Sequence, residues 1–125
     1  MEILLVFLSG LAHMGVDGDI EPLLGLIGRL TAELWTLRQM SMSTAAKLAG
    51  GEDPVVEAAM VKDLGNSYEQ ALPVSVQATA EVDLAADTPL ARTLALLLQT
   101  APSFSLRGGT REVLRGIIAR GLGLR

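Results

Sequence analysis

One short stretch of this chain combines chemically able residue types at a useful spacing. Gly108 and Gly109 stand directly before Thr110, with Arg107, Arg111 and Glu112 around them, and a helical period of apolar residues follows. Two glycines remove side chains from the start of a helix. The unpaired N–H groups and the positive end of the dipole then stay open to an anionic or polar ligand. Thr110 adds a hydroxyl. The same residues also read as an ordinary tight turn with Thr110 as the helix cap, and spacing alone does not choose between the two.

The charge pattern points to the same end of the chain. From Arg107 to Arg125 five arginines stand against Glu112 alone, although the whole chain carries a net charge of −4. Such a tail suits an anionic ligand or partner. It equally suits the C-terminal end of a helix dipole. The overall acidity argues against general nucleic-acid binding.

Other chemistry is excluded by residue type. There is no cysteine, so disulfides, thiolate metal sites and a Cys nucleophile are ruled out, and a cytoplasmic setting is expected. His13 is the one histidine, which leaves neither a His-rich metal site nor a Ser-His-Asp triad. A carboxylate-bridged di-iron bundle needs Glu-x-x-His motifs, and the chain has none. No glycine-rich loop matches a phosphate or dinucleotide fingerprint. Trp35 reads as a packing or interface residue, and Met40, Met42 and Met60 read as core filler.

The elements that position the glycine loop are helical. Leu, Ala and Met dominate the apolar half of the sequence and four residues are aromatic, a composition that favours an all-α domain. Leu23, Ile27, Leu30, Leu34 and Leu37 make a continuous stripe on one helix face, with Asp19 as cap and Pro22 in the first turn. This helix is expected to reach Ala49 and to end at Gly50-Gly51. Asp53 then caps a second helix with Pro54 as its first residue. Val56, Met60, Leu64, Tyr68 and Leu72 form its inward row, and Pro73 is expected to kink or end it. The span 74–87 reads as a helix tail followed by a loop. Asp87-Thr88-Pro89 starts a third helix, with Leu90, Leu94, Leu97 and Leu98 as its apolar face. A loop from Ser103 to Gly109 leads to the last helix, which turns Val113, Leu114, Ile117 and Ile118 inward. Arg111 and Arg115 share one of its faces. Short connections make such helices antiparallel neighbours in a bundle.

Residues 1–19 form a separate apolar segment and turn. Glu2 is the one charged residue among the first sixteen, so the basic region of a secretory signal is missing. A spanning helix needs about 20 apolar residues, and this run stops at Asp17. A core helix that expects neighbours is the reading.

Three pieces then fall in an informative order. A long helix closes on Ala45-Ala46-Lys47-Leu48-Ala49-Gly50-Gly51. A second carries the run from Glu57 to Gln70. The chain closes on Leu106-Arg107-Gly108-Gly109-Thr110-Arg111-Glu112-Val113 and the helix after it. Over residues 20–125 this resembles the C-terminal helical domain of the acyl-CoA dehydrogenases, whose bacterial members end in a Gly-Gly-Thr-x-Glu run. The resemblance implies a four-helix-type up-down bundle and a longer parent with an N-terminal helical domain and a β-domain. It implies FAD at the junction of β-domain and bundle, acyl-CoA as substrate, and contacts with other dehydrogenase domains or subunits in a homo- or hetero-oligomer. Gly109 and Thr110 then fall beside the cofactor, Glu112 on a position able to contact FAD, and Arg107 and Arg111 on less specific positions. In many members the catalytic Glu precedes the Gly-Thr; here Gly108 stands there and cannot remove a proton. The resemblance thus implies a flavin-contacting piece that is inactive alone. The alternative is a non-catalytic helical oligomerisation or interaction module.

Overall fold

The computed structural model describes residues 20–124, and there is no strand among them. Helix α1 spans Glu21–Ala49, α2 Val55–Ala80, α3 Pro89–Thr100 and α4 Arg111–Gly121. A 3-10 turn, Ala101–Leu106, joins the last two helices. The all-α class and the four helices agree with the sequence pattern. The segment 1–19, including the expected cap Asp19, lies outside the described residues.

The end of α1 follows from its glycines. Gly51 takes φ +85°, a conformation that side chains resist. It lets the Glu52 N–H return to the Lys47 carbonyl at 3.1 Å. An ion pair between Lys47 and Glu57 crosses the turn. Further along, the Tyr68 hydroxyl donates to the Leu30 carbonyl at 3.2 Å, and Arg29 reaches the Ser75 hydroxyl at 3.5 Å. These pairings run in opposite senses along the two helices, so α1 and α2 are antiparallel.

α2 is the hub, because every other element packs on it. Three expectations about it are corrected. Pro54, not Asp53, is the N-cap residue, and no side chain caps the helix. Pro54 is buried with non-helical backbone, so the first turn begins at Val55. Pro73 does not end the helix, which continues to Ala80. Its ring is fully buried, and that burial offsets the hydrogen bond it cannot donate. The fully buried positions are Ala59, Asn66, Pro73 and Val76, whereas Leu64 is 47 % exposed. A row of every fourth residue drifts by about 40° per step around a helix, while a seven-residue step drifts by about 20°. Residues 59, 66 and 73 therefore stay on one face, and the row through Leu64 winds off it.

Leu26 and Leu30 of α1, Val76 of α2 and Leu94 of α3 form the buried core, with Leu72, Leu90 and Leu98 packed against it. α3 starts as expected, since the Thr88 hydroxyl accepts from the Ala91 N–H at 3.1 Å. The span from Ser103 to Leu106, expected as loop, belongs to the 3-10 turn. On α4 Leu114 is buried but Val113 is 55 % exposed. Met42 is also exposed, so it is not core filler, and Trp35 is 62 % exposed. Beyond Leu30 no residue of α1 is fully buried.

α3, the 3-10 turn and α4 follow one another down α2. Gln70 reaches the Pro102 carbonyl, Arg111 reaches Asp63, and Gly121 lies against Val56. They make one interrupted column, antiparallel to α2, so α3 and α4 are not the antiparallel neighbours that an up-down four-helix bundle would make of them. A Cβ on Gly121 would run into the Val56 side chain. Gly121→Ala is expected to lower stability by about 1–3 kcal/mol in urea unfolding. An unchanged midpoint would mean that α4 does not sit so close.

Candidate functional site at the Gly108–Thr110 loop

The loop is shaped by its glycines. Gly108 has φ +79° and Gly109 φ +112°, so both take backbone conformations that other residues adopt only under strain. Space is not the reason. A Cβ on Gly108 would touch Lys62 Cε at 3.5 Å, and one on Gly109 would touch Leu114 at 3.8 Å, both ordinary contacts. The pair turns the chain from the 3-10 turn into α4 and sets the loop over the Lys62–Asp63 stretch of α2.

Asp63 anchors the helix that follows. Its Oδ1 accepts from Arg111 Nε at 3.0 Å and its Oδ2 from Arg115 Nε at 3.3 Å. The Asp63 side chain is 13 % exposed, against 34 % for Arg111 and 62 % for Arg115. One shielded carboxylate thus holds two arginines one helical turn apart. The expectation that Arg111 and Arg115 share a face is met, and the face is turned to α2.

Thr110 is the N-cap of α4, but its side chain accepts no cap hydrogen bond. Glu112 stands exposed in the first turn of α4. Its own backbone N–H, then the Thr110 hydroxyl, hold its carboxyl below the usual carboxylate range, with help from Arg115 and Arg111. A carboxylate of the chain itself therefore sits at the amide end of α4. The sign of the resulting pH dependence is definite. A folded-state value below the ordinary 4.5 means that this stabilisation is complete above 4.5 and is lost as pH falls through the lower folded value. The stability gap between the wild-type chain and Glu112→Gln is expected to narrow on acidification below 4.5. Thermal melts followed by circular dichroism over a pH series check this. A gap that stays constant would mean that Glu112 makes no such contact.

Arg107 is exposed and lies over the Phe104 ring at 4.6 Å from its centroid, a cation–π contact. Of the expected site residues, Gly108, Gly109, Thr110, Arg111 and Glu112 come together, and Arg107 stands at their edge. The loop can present backbone N–H groups to a ligand, with the Thr110 hydroxyl turned to Glu112. Asp63 beneath the loop is engaged by Arg111 and Arg115. Among the described residues no group of His, Asp and Glu could hold a metal ion. No helix of the described residues is long and apolar enough to cross a membrane.

Two residues escaped the sequence reading. Asp63 was legible in principle, because two arginines four apart on a helix ask for an anion. Asn66 was not. It is 1 % exposed and neither side-chain atom has a protein partner, and it lines a groove between α1 and α2 with Ser41, Thr44 and Lys62.

No protein family, no curated protein and no solved structure matches this chain.

Proposed function

We propose that this chain acts as the C-terminal helical domain of an acyl-CoA dehydrogenase-like flavoenzyme. It contributes contacts to FAD and to neighbouring domains or subunits, in the cytoplasm, and does not catalyse alone. The carrying observation is the meeting of the two stretches on which the resemblance rests. The run Glu57 to Gln70 supplies Lys62 and Asp63; the closing run supplies Gly108, Arg111 and Arg115. They join through two charge-assisted hydrogen bonds to one shielded carboxylate. On this reading Gly109 and Thr110 form the edge offered to the flavin, with Glu112 and Arg107 beside them. Arg111 fixes the loop through Asp63 and is not primarily a ligand. In the complete enzyme FAD would accept the β-hydride of an acyl-CoA thioester. With Gly108 at the position of the familiar base, that position brings no group for the α-proton.

The test is direct. The purified chain, mixed with FAD, an acyl-CoA and a dye acceptor, is expected to reduce no more dye than a protein-free control. Sustained acyl-CoA-dependent reduction would sink the reading.

A second reading, a non-catalytic interaction module, is favoured by the exposed apolar residues Trp35, Met42 and Leu48 along α1. It requires self-association, or association with a partner other than a flavoprotein. Sedimentation of the wild-type chain beside Trp35→Glu separates the cases. Association that Trp35→Glu abolishes, without any affinity for flavoprotein domains, would favour the module.

A further inference from the structure

A groove of about 400 Å³ runs between α1 and α2, past the end of the buried core. Ser41 and Thr44 line it from α1, and Lys62, Gly65, Asn66 and Glu69 line it from α2. Asn66 is buried there without compensation. It is 1 % exposed, and neither its carboxamide oxygen nor its nitrogen has a hydrogen-bond partner. A buried amide without partners is costly, and an apolar side chain of the same shape would serve the fold better. The space beside it is open, since a Cβ on Gly65 would meet nothing within 4 Å.

Two charges flank Asn66 on the same face of α2. Lys62 stands one turn before it and Glu69 one turn after. Neither forms an ion pair among the described residues. The row therefore reads cation, amide, anion, over about 10 Å at 1.5 Å per residue. Across the groove the Thr44 hydroxyl donates to the Met40 carbonyl at 2.9 Å and keeps its lone pairs for a further donor.

We propose that this groove binds a short peptide through its backbone. The peptide's chemistry is the complement of the α2 row: a carboxylate at Lys62, an amide group at Asn66 and an ammonium at Glu69. The length agrees, because an extended tripeptide spans about 10 Å. Asn66 donates to the carbonyl and accepts from the N–H of one peptide residue, the pairing it lacks within the fold. Asn66 lies at the closed bottom of the groove, and the flexible Lys62 side chain beside it moves aside as its ammonium turns to the carboxylate. The proposal does not depend on the flavoenzyme reading.

Titration calorimetry of the full-length chain with trialanine tests it, and saturable binding is expected. Asn66→Leu is expected to abolish binding while the urea midpoint holds or rises, because no protein hydrogen bond is lost. Gly65→Leu fills the groove, leaves Asn66 in place and introduces a good helix former, so it should abolish binding in a folded chain. Lys62→Met should weaken trialanine about tenfold and leave trialanine amide, which has no C-terminal charge, unaffected. Absence of saturable trialanine binding by the wild-type chain would overturn the proposal and leave Asn66 to a buried water. Binding that survives Gly65→Leu would overturn it as well, by placing the peptide elsewhere on the chain.

Discussion

Asp63→Ala is expected to cost about 2 kcal/mol of stability, the scale of hydrogen bonds to charged groups, reduced here by the exposure of Arg115. The loss comes from two sources. Two charge-assisted bonds disappear, and Arg111, only 34 % exposed, keeps its charge without the carboxylate that faced it. A double-mutant cycle divides the effect. Coupling of Asp63 with Arg111 should exceed coupling with Arg115, because the Arg111 bond is shorter and better shielded. Urea unfolding of the single and double variants measures both. Equal and negligible couplings would mean that α4 is held to α2 by its apolar contacts alone, and that the glycine loop above it owes nothing to Asp63.

Leu30→Ala is expected to have a still larger effect, about 2–5 kcal/mol. Leu30 is 2 % exposed and sits at the junction of α1, α2 and α3. Its removal leaves a cavity between three elements that cannot all close in. Leu48→Ala, on the same helix but 65 % exposed, is expected to stay within about 0.5 kcal/mol. The contrast divides α1 into a half that belongs to the core and a half that does not. Denaturant midpoints for the two variants check it. A large cost at Leu48 would mean that the far half of α1 is covered by something beyond the described residues.

The same division explains how far the sequence could be read. The stripe Leu23, Ile27, Leu30, Leu34 and Leu37 was legible because alternating steps of three and four follow the helix period closely. Its residues are all at least half-buried. The Gly50-Gly51 stop and the Thr88 cap were legible because each rests on local backbone chemistry. α2 was read less well. As the hub it is packed from more than one side, so its buried positions include Asn66 and Pro73, which a hydropathy pattern passes over. Pro73 looked like a breaker because the local cost of a helical proline is visible in sequence, whereas the burial that offsets it is tertiary. The candidate loop was legible as a glycine pair before a helix. That Asp63 would gather Arg111 and Arg115 depended on a contact spanning some fifty residues of sequence.

Those contacts also bear on which ligands the loop could take. The amide end of α4 already carries the Glu112 carboxylate, so a bare anion gains less there than at an unoccupied helix start. A neutral, hydrogen-bonding group suits the Gly109 backbone better than a phosphate does.

The most direct measurement is co-expression of this chain with the N-terminal helical and β-domains of an acyl-CoA dehydrogenase, followed by the absorption spectrum of the purified complex. The account predicts a yellow complex that retains FAD, and weaker retention when Thr110→Ala or Gly109→Val alters the loop. A chain that elutes apart from those domains, colourless, and leaves their flavin content unchanged would contradict it.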